Sequence, residues 1–85
     1  MRENAGTIKR LSELKPGESG NIVRIDDDED FLRLMEMGFI TGEEVQVINL
    51  APLGDPMMVK IIGYQVSLRM NEAERIMVSC TGKRG

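Results

Sequence analysis

Histidine and tryptophan are absent from this chain, and cysteine occurs once, at Cys80. Without histidine, the commonest general base and the commonest transition-metal ligand are both missing. A lone cysteine forms no intrachain disulfide and has no histidine to activate it, so a reducing compartment and a non-catalytic role are expected. Cys80 shares the parity of Ile76 and Val78 at a strand end, which predicts that it joins the core. Aromatic residues are also scarce: only Phe31, Phe39 and Tyr64 are present. The core is therefore expected to consist of Val, Ile, Leu and Met, and an aromatic-lined groove for proline-rich peptides is excluded. The net charge of −3 gives no field favouring nucleic acid or anionic lipid. No apolar run approaches the ~18 residues of a membrane span, and the polar start lacks the apolar stretch of a signal peptide. A cytoplasmic protein with no cofactor and no direct membrane insertion is expected.

What is present fits one small domain. A chain of 85 residues buries roughly 60–65% of the surface that it exposes when unfolded, enough for a single modest core. Residues 1–8 read as a flexible arm, 9–80 as the domain and 81–85 as a polar tail. Leu11–Leu14 suits one helical turn, and Lys15-Pro16-Gly17-Glu18 is a turn with glycine third. Strands are expected at 21–25, 44–50, 57–62, 65–69 and 76–80. The alternation blurs over Ile48-Asn49-Leu50, as in a strand that bends at a barrel corner. Gly63-Tyr64 suits a two-residue hairpin loop with glycine first. Between the first two of these strands lies a short helix. Asp26 with Glu29 fits a capping box at its start, and Gly38 with Phe39 fits a Schellman end packed on Leu34. Ile40-Thr41-Gly42-Glu43 repeats the earlier turn. Asn71 is expected to cap a last helical turn. The sum is a small, mostly antiparallel barrel of about five strands, with one short helix inserted after the first.

Metal and phosphate sites fail on spacing. Asp26, Asp28 and Asp30 have the first three positions of a calcium loop, but Phe31 replaces its glycine and Met37 its glutamate. The acidic run Asp26–Asp30 thus reads as helix capping, a solvated patch or a weak hard-cation site. Gly54-Asp55-Pro56 opens a strand rather than a helix, and Asp55 repels phosphate. Six internal methionines share no spacing and read as core filling.

Two surfaces remain for a partner. On a wheel of ~100° per residue, the helix centres its apolar face on Phe31, Leu34 and Met35. Leu32 on one flank and Met37 on the other widen the apolar arc to ~220°, where ~100° suffices for a surface helix. Either the barrel and its loops cover this excess, or Leu32 and Met37 face a partner. The loop Ala51–Pro56 has two prolines that lower its entropy, so Pro52, Leu53, Gly54 and Asp55 either present a preformed surface or merely connect two strands.

Several segments together resemble one family. These are Leu11-x-x-Leu14-x-x-Gly17, Gly20-x-Ile22-x-x-Ile25, Arg33-Leu34-x-x-Met37-Gly38-Phe39-x-x-Gly42 and Ala51-Pro52-Leu53-Gly54-Asp55-Pro56. With Val45, Ser67-Leu68-Arg69, Glu72-Ala73, Ile76 and Val78, they are similar to the FeoA ferrous iron transport proteins. Thr41 stands where that family usually has proline, and the five-acid run is unusually dense. The resemblance implies an SH3-like barrel that binds and modulates FeoB, the GTPase-coupled membrane transporter for ferrous iron, without carrying iron itself. Alternatives are a direct ferrous ion chaperone using the acidic run, or a regulator of the partner's GTP hydrolysis using Arg33 or Arg69. The related C-terminal domain of iron-dependent repressors follows a DNA-binding helix-turn-helix and metal-site histidines, which this chain lacks.

Overall fold

Alternating apolar residues decide the sheet. Val45 and Val47, then Met57, Val59 and Ile61, then Ile76 and Val78 are all buried, while their neighbours in sequence stay at least partly exposed. Successive strand residues face opposite sides, so this parity turns one face inward. In the computed structural model, which describes residues 6–26 and 29–80, six strands result. They are β1 (Thr7–Arg10), β2 (Ser19–Ile25), β3 (Glu44–Leu50), β4 (Met57–Ile61), β5 (Tyr64–Leu68) and β6 (Ile76–Cys80). They form one antiparallel sheet in the order β1-β6-β2-β3-β4-β5. A 3-10 turn (Leu11–Glu13) follows β1, helix α1 (Phe31–Glu36) follows β2 and helix α2 (Met70–Ala73) follows β5.

Two bulges bend the sheet round its core. The register slips between Ile22 and Arg24 in β2 and between Val47 and Asn49 in β3. One extra residue in each strand increases local twist. The blurred alternation at Ile48 marks the second of these bends. Leu11 and Leu14 enter the core from the 3-10 turn region, Leu34 and Phe39 from α1 and its end, and Ala73 from α2. Each large side chain buried there contributes about 1.5–3 kcal/mol.

The end of α1 forms as its sequence demands. The Gly38 N–H donates to Met35 O and the Phe39 N–H to Leu34 O, both at 3.0 Å. Gly38 has φ 110°, and this pair of bonds is the Schellman arrangement. Phe39 and Leu34 are both fully buried, so the cap also drives the helix end into the barrel.

Four details differ from the sequence reading. Thr7 and Ile8, assigned to the arm, lie in β1 opposite Cys80 and Ser79. The outer edge of β6 supplies that ladder, and the short segment Thr7–Arg10 has no apolar alternation to announce it. Among the described residues the strands therefore number six, and α1 follows the second. Second, Ile61 pairs with Tyr64, which makes Ile62-Gly63 the hairpin loop. Both loop residues have positive φ (49° and 80°), giving a turn whose twist matches the flanking strands. Third, α1 starts at Phe31 with Asp30 in the cap position. Asp26 instead accepts a bond from Arg24 Nε at 2.9 Å, and its N–H continues the β2–β6 pairing by donating to Arg75 O. Fourth, α2 starts two residues earlier than a cap at Asn71 predicts, with Arg69 in the cap position. Residues 1–5, Asp27, Asp28 and 81–85 lie outside the described residues, and with them the rest of the arm, the middle of the acidic run and the tail.

Candidate functional site

Helix α1 separates two concavities. Residues 31 and 35 lie one turn apart on one flank, and 30, 33 and 37 lie on the other. On the second flank is a polar cleft of about 810 Å³, lined by Asp30, Arg33, Asp55, Pro56, Ser67, Arg69, Asn71 and Glu72. Glu72 is its centre and, among the described residues, the one buried charged side chain, 9% exposed. Its Oε1 accepts the Arg69 N–H at 3.0 Å, and its Oε2 pairs with the Arg33 guanidinium. Arg33 Nε also lies 3.7 Å from Asp30 Oδ1. An acid three residues after the cap is the usual way to satisfy that first N–H. The same arrangement recurs where Glu13 accepts from Arg10 and Glu18 from Lys15.

The loop between β3 and β4 closes the cleft on another side. The Gly54 N–H donates to Ala51 O at 2.7 Å and the Ala51 N–H to Pro56 O at 3.0 Å. The Asp55–Pro56 peptide is cis. Asp55 Oδ1 accepts the Met70 N–H at 3.0 Å, which ties the loop to the first turn of α2.

On the first flank is an apolar groove of about 370 Å³, lined by Arg24, Ile25, Phe31, Met35, Phe39, Ile40 and Thr41. Arg24 is its charged residue and is paired with Asp26. Phe31, which the helical wheel puts at the centre of the buried face, is 40% exposed, and Ile40 is 41% exposed. Within α1 the buried face comes down to Leu34, because a helix of six residues has room for little more than one inward position.

Each residue singled out from sequence has a definite place. Leu32 is 71% exposed and Leu53 96% exposed, and Pro52 is exposed beside it. Met37 is half-buried, packs against the core and lies 3.5 Å from Arg33 Nη1. Gly54 holds φ 88° at the turn of the loop. Asp55 faces α2, so it belongs to the cleft rather than to the loop tip. The structure thus gathers Asp55 with Arg33 and Arg69, and leaves Leu32 and Leu53 outward. Glu72 and Ile40 were missed. Ile40 had a signal, an apolar residue in the first position of a turn that usually takes Asp, Asn or Ser. Glu72 had none, since its partner is 39 positions away (72 − 33).

Among the described residues, no three or more Cys, Asp or Glu side chains are grouped to hold a metal ion. Among the same residues, no helix is long and apolar enough to cross a membrane. Cys80 is half-buried against the core, and burial pushes its thiol above the ordinary value.

The fold is that of a small SH3-like barrel. The sequence profile of the FeoA domain matches residues 9–80, and the chain belongs to that family, whose members are accessory rather than catalytic domains of ferrous iron transport. A FeoA/FeoB fusion protein of Porphyromonas gingivalis is 44% identical over 70 residues, covering 81% of this chain. The aligned part is 8% of that relative, so this chain spans a small fraction of its length. A FeoA-like protein from Clostridium acetobutylicum has TM-score 0.83 at 27% identity, covering 98% of this chain and 95% of that one. A zinc-complexed FeoA from Stenotrophomonas maltophilia, described as an SH3 domain protein, has TM-score 0.73 at 35% identity, covering 81% and 87%.

Proposed function

We propose that this domain docks on an FeoB-type ferrous iron transporter from the cytoplasmic side and modulates it through protein contact alone. The observation that carries this reading is the fusion relative, in which a FeoA domain and FeoB share one polypeptide. A covalent link between two modules raises their effective concentration, and it is useful where they work in contact. The contact is assigned to Leu32 on α1 and to the loop Pro52, Leu53, Gly54 and Asp55. Two outward leucines are the kind of apolar anchor that a partner covers. Asp55 holds the loop in place through Met70, and Met37 supports α1 from its half-buried position.

The other two readings have less support. In the acidic run, Asp26 is paired with Arg24 and Asp30 lies beside Arg33. Arg33, one of two arginines considered for GTP hydrolysis, is engaged by Glu72.

The test is capture of the transporter's purified cytoplasmic region by wild type, Leu32→Asp and Leu53→Asp. Each variant is expected to bind at least roughly tenfold more weakly, about 1.4 kcal/mol. Equal affinity of all three removes these leucines from the contact. A wild-type protein that captures nothing ends the docking reading.

A further inference from the structure

We propose that the open edge of β5 pairs with β5 of a second copy of this chain, antiparallel and centred on Val66, to form a two-fold dimer. The inference stands apart from the docking reading, whose contact lies on α1 and the β3–β4 loop.

The register of the β4–β5 hairpin decides which backbone groups face outward. β5 ends the sheet order and has β4 as its ladder partner. Ile61 and Tyr64 flank the two-residue loop, and the pair that closes such a loop exchanges both backbone hydrogen bonds. Bonded pairs alternate along an antiparallel ladder, so Val59–Val66 and Met57–Leu68 are the next two. The N–H and C=O groups of Gln65 and Ser67 therefore point away from β4, and both residues are exposed. Among the described residues, nothing takes up these four groups.

The two edges of the sheet differ in their protection. β1 (Thr7-Ile8-Lys9-Arg10) carries two cations in four residues, the kind of charge that keeps an edge strand from pairing. β5 (Tyr64-Gln65-Val66-Ser67-Leu68) has no charge, proline or glycine, and its register with β4 runs without a bulge. An unblunted edge is a template for another strand.

What fits this template is β5 itself. Centred on Val66, the pairing sets Gln65 opposite the other copy's Ser67, and Ser67 opposite its Gln65. Each pair exchanges two backbone bonds, so every outward N–H and C=O of both strands is satisfied. Val66 meets its counterpart on the inner face, and Tyr64, 67% exposed, lies opposite the other copy's Leu68. Such apolar cross-strand pairs are favourable. Charge does not oppose the contact. Lys60 on β4 stands three strand spacings of ~4.8 Å from its counterpart, beyond the ~8 Å screening length of physiological salt. A neutral edge offers a foreign strand nothing to be selected by, whereas the two-fold pairing gives each residue of β5 a compatible opposite.

An edge contact of four backbone bonds is smaller than a standard interface, so a weak dimer is expected, with Kd on the order of 0.1–1 mM. Sedimentation equilibrium from about 0.02 to about 2 mM should show monomer passing to dimer, with no larger species. Over that range amide exchange at Gln65 and Ser67 should slow roughly threefold or more, while Tyr64, Val66 and Leu68, already bonded to β4, stay unchanged. Gln65→Lys with Ser67→Lys sets cations opposite one another and should weaken the dimer at least roughly tenfold. Gln65→Lys with Ser67→Glu sets opposite charges together in this register and should restore it. Both double variants replace exposed side chains, so the fold is retained. A chain that stays monomeric to about 2 mM, a dimer that leaves the Gln65 and Ser67 amides unprotected, equal association of both double variants, or growth into larger oligomers overturns the inference. Protection of those amides only on adding the transporter's cytoplasmic region also overturns it, and assigns the edge to that partner.

Discussion

The two flanks of α1 differ in what their side chains have left to offer. On the cleft side, each carboxylate is committed within the domain. Glu72 serves Arg33 and the Arg69 N–H, Asp55 serves the Met70 N–H, and Asp30 lies beside Arg33. On the groove side, Phe31 and Ile40 are apolar and partly open to water. The polar concavity is larger, but its charges are taken up in joining α1, α2 and the β3–β4 loop. The apolar concavity holds nothing together that Leu34 and Phe39 do not already hold. What separates the two concavities is thus internal engagement, not size.

The comparison breaks most readily at Arg33. Arg33→Met leaves Glu72 almost buried with only the Arg69 N–H as partner. Losing one member of a fully buried pair costs about 3–5 kcal/mol, but Arg33 is half exposed and water offsets part of that. A loss of about 1–3 kcal/mol is expected, a fall in Tm of roughly 5–15 °C for a domain of this size. Glu72→Gln keeps an acceptor for the Arg69 N–H and should lose less. Thermal melts of the two variants, set against Ile40→Asp, decide the matter. The groove variant should stay within about 0.5 kcal/mol of wild type. If Arg33→Met melts like wild type, the cleft is free for a ligand and the distinction between the flanks collapses.

A smaller effect is expected where α1 meets the β4–β5 hairpin. A Cβ on Gly38 would lie 3.1 Å from Ile62 Cδ1, and the φ of 110° is itself unfavourable for alanine. Gly38→Ala is expected to cost about 1–2 kcal/mol, chiefly through the backbone. The tip of Ile62 can yield, whereas the backbone cannot. Ile62→Asn in the same background should therefore recover little of the loss in chemical denaturation, although by itself it relieves a β-branched residue at positive φ. Phe39 and Ile40 follow Gly38 directly, so the same variant should disturb the groove side of α1 and leave the cleft pairs intact. Full recovery by Ile62→Asn would mean that the side-chain contact, not the backbone, sets the helix end.

How far the sequence reaches depends on whether an element's cause is local. The Schellman end at Gly38-Phe39, the turns at Gly17 and Gly42 and the bend at Ile48 are each fixed by a few neighbouring residues, and all were legible. The β1 strand was not, because its cause is the free edge of β6, some 70 residues away along the chain. The same holds at the site. Leu32 was legible as an excess apolar residue on a helix; Ile40 was missed, although an apolar residue in a turn was a signal. The Arg33–Glu72 pair was not, since two charged residues on separate helices give no pattern until the barrel brings them together. Asp55 shows the intermediate case: the loop motif was visible, but that its carboxylate turns inward to Met70 was not.

Cys80 lines neither concavity and gives the smallest of the expected effects. Burial pushes its thiol up, Lys9 pulls it down by less, and Glu18 adds a further push upward. The folded protein therefore holds the thiol proton to higher pH than the unfolded chain does. Stability is unaffected below the ordinary thiol range near ~8.5 and falls as pH rises through and above it. Reaction with a chromogenic disulfide at neutral pH should be slower than in the denatured chain, because the thiolate is the attacking form. Lys9→Gln removes the downward pull and should slow the reaction further, whereas Glu18→Gln should speed it. Ile40→Asp and Arg33→Met, measured under fully folding conditions, should leave the rate unchanged. A rate that followed either of them would mean that the two flanks of α1 communicate with β6, and that neither could be treated as a separate surface.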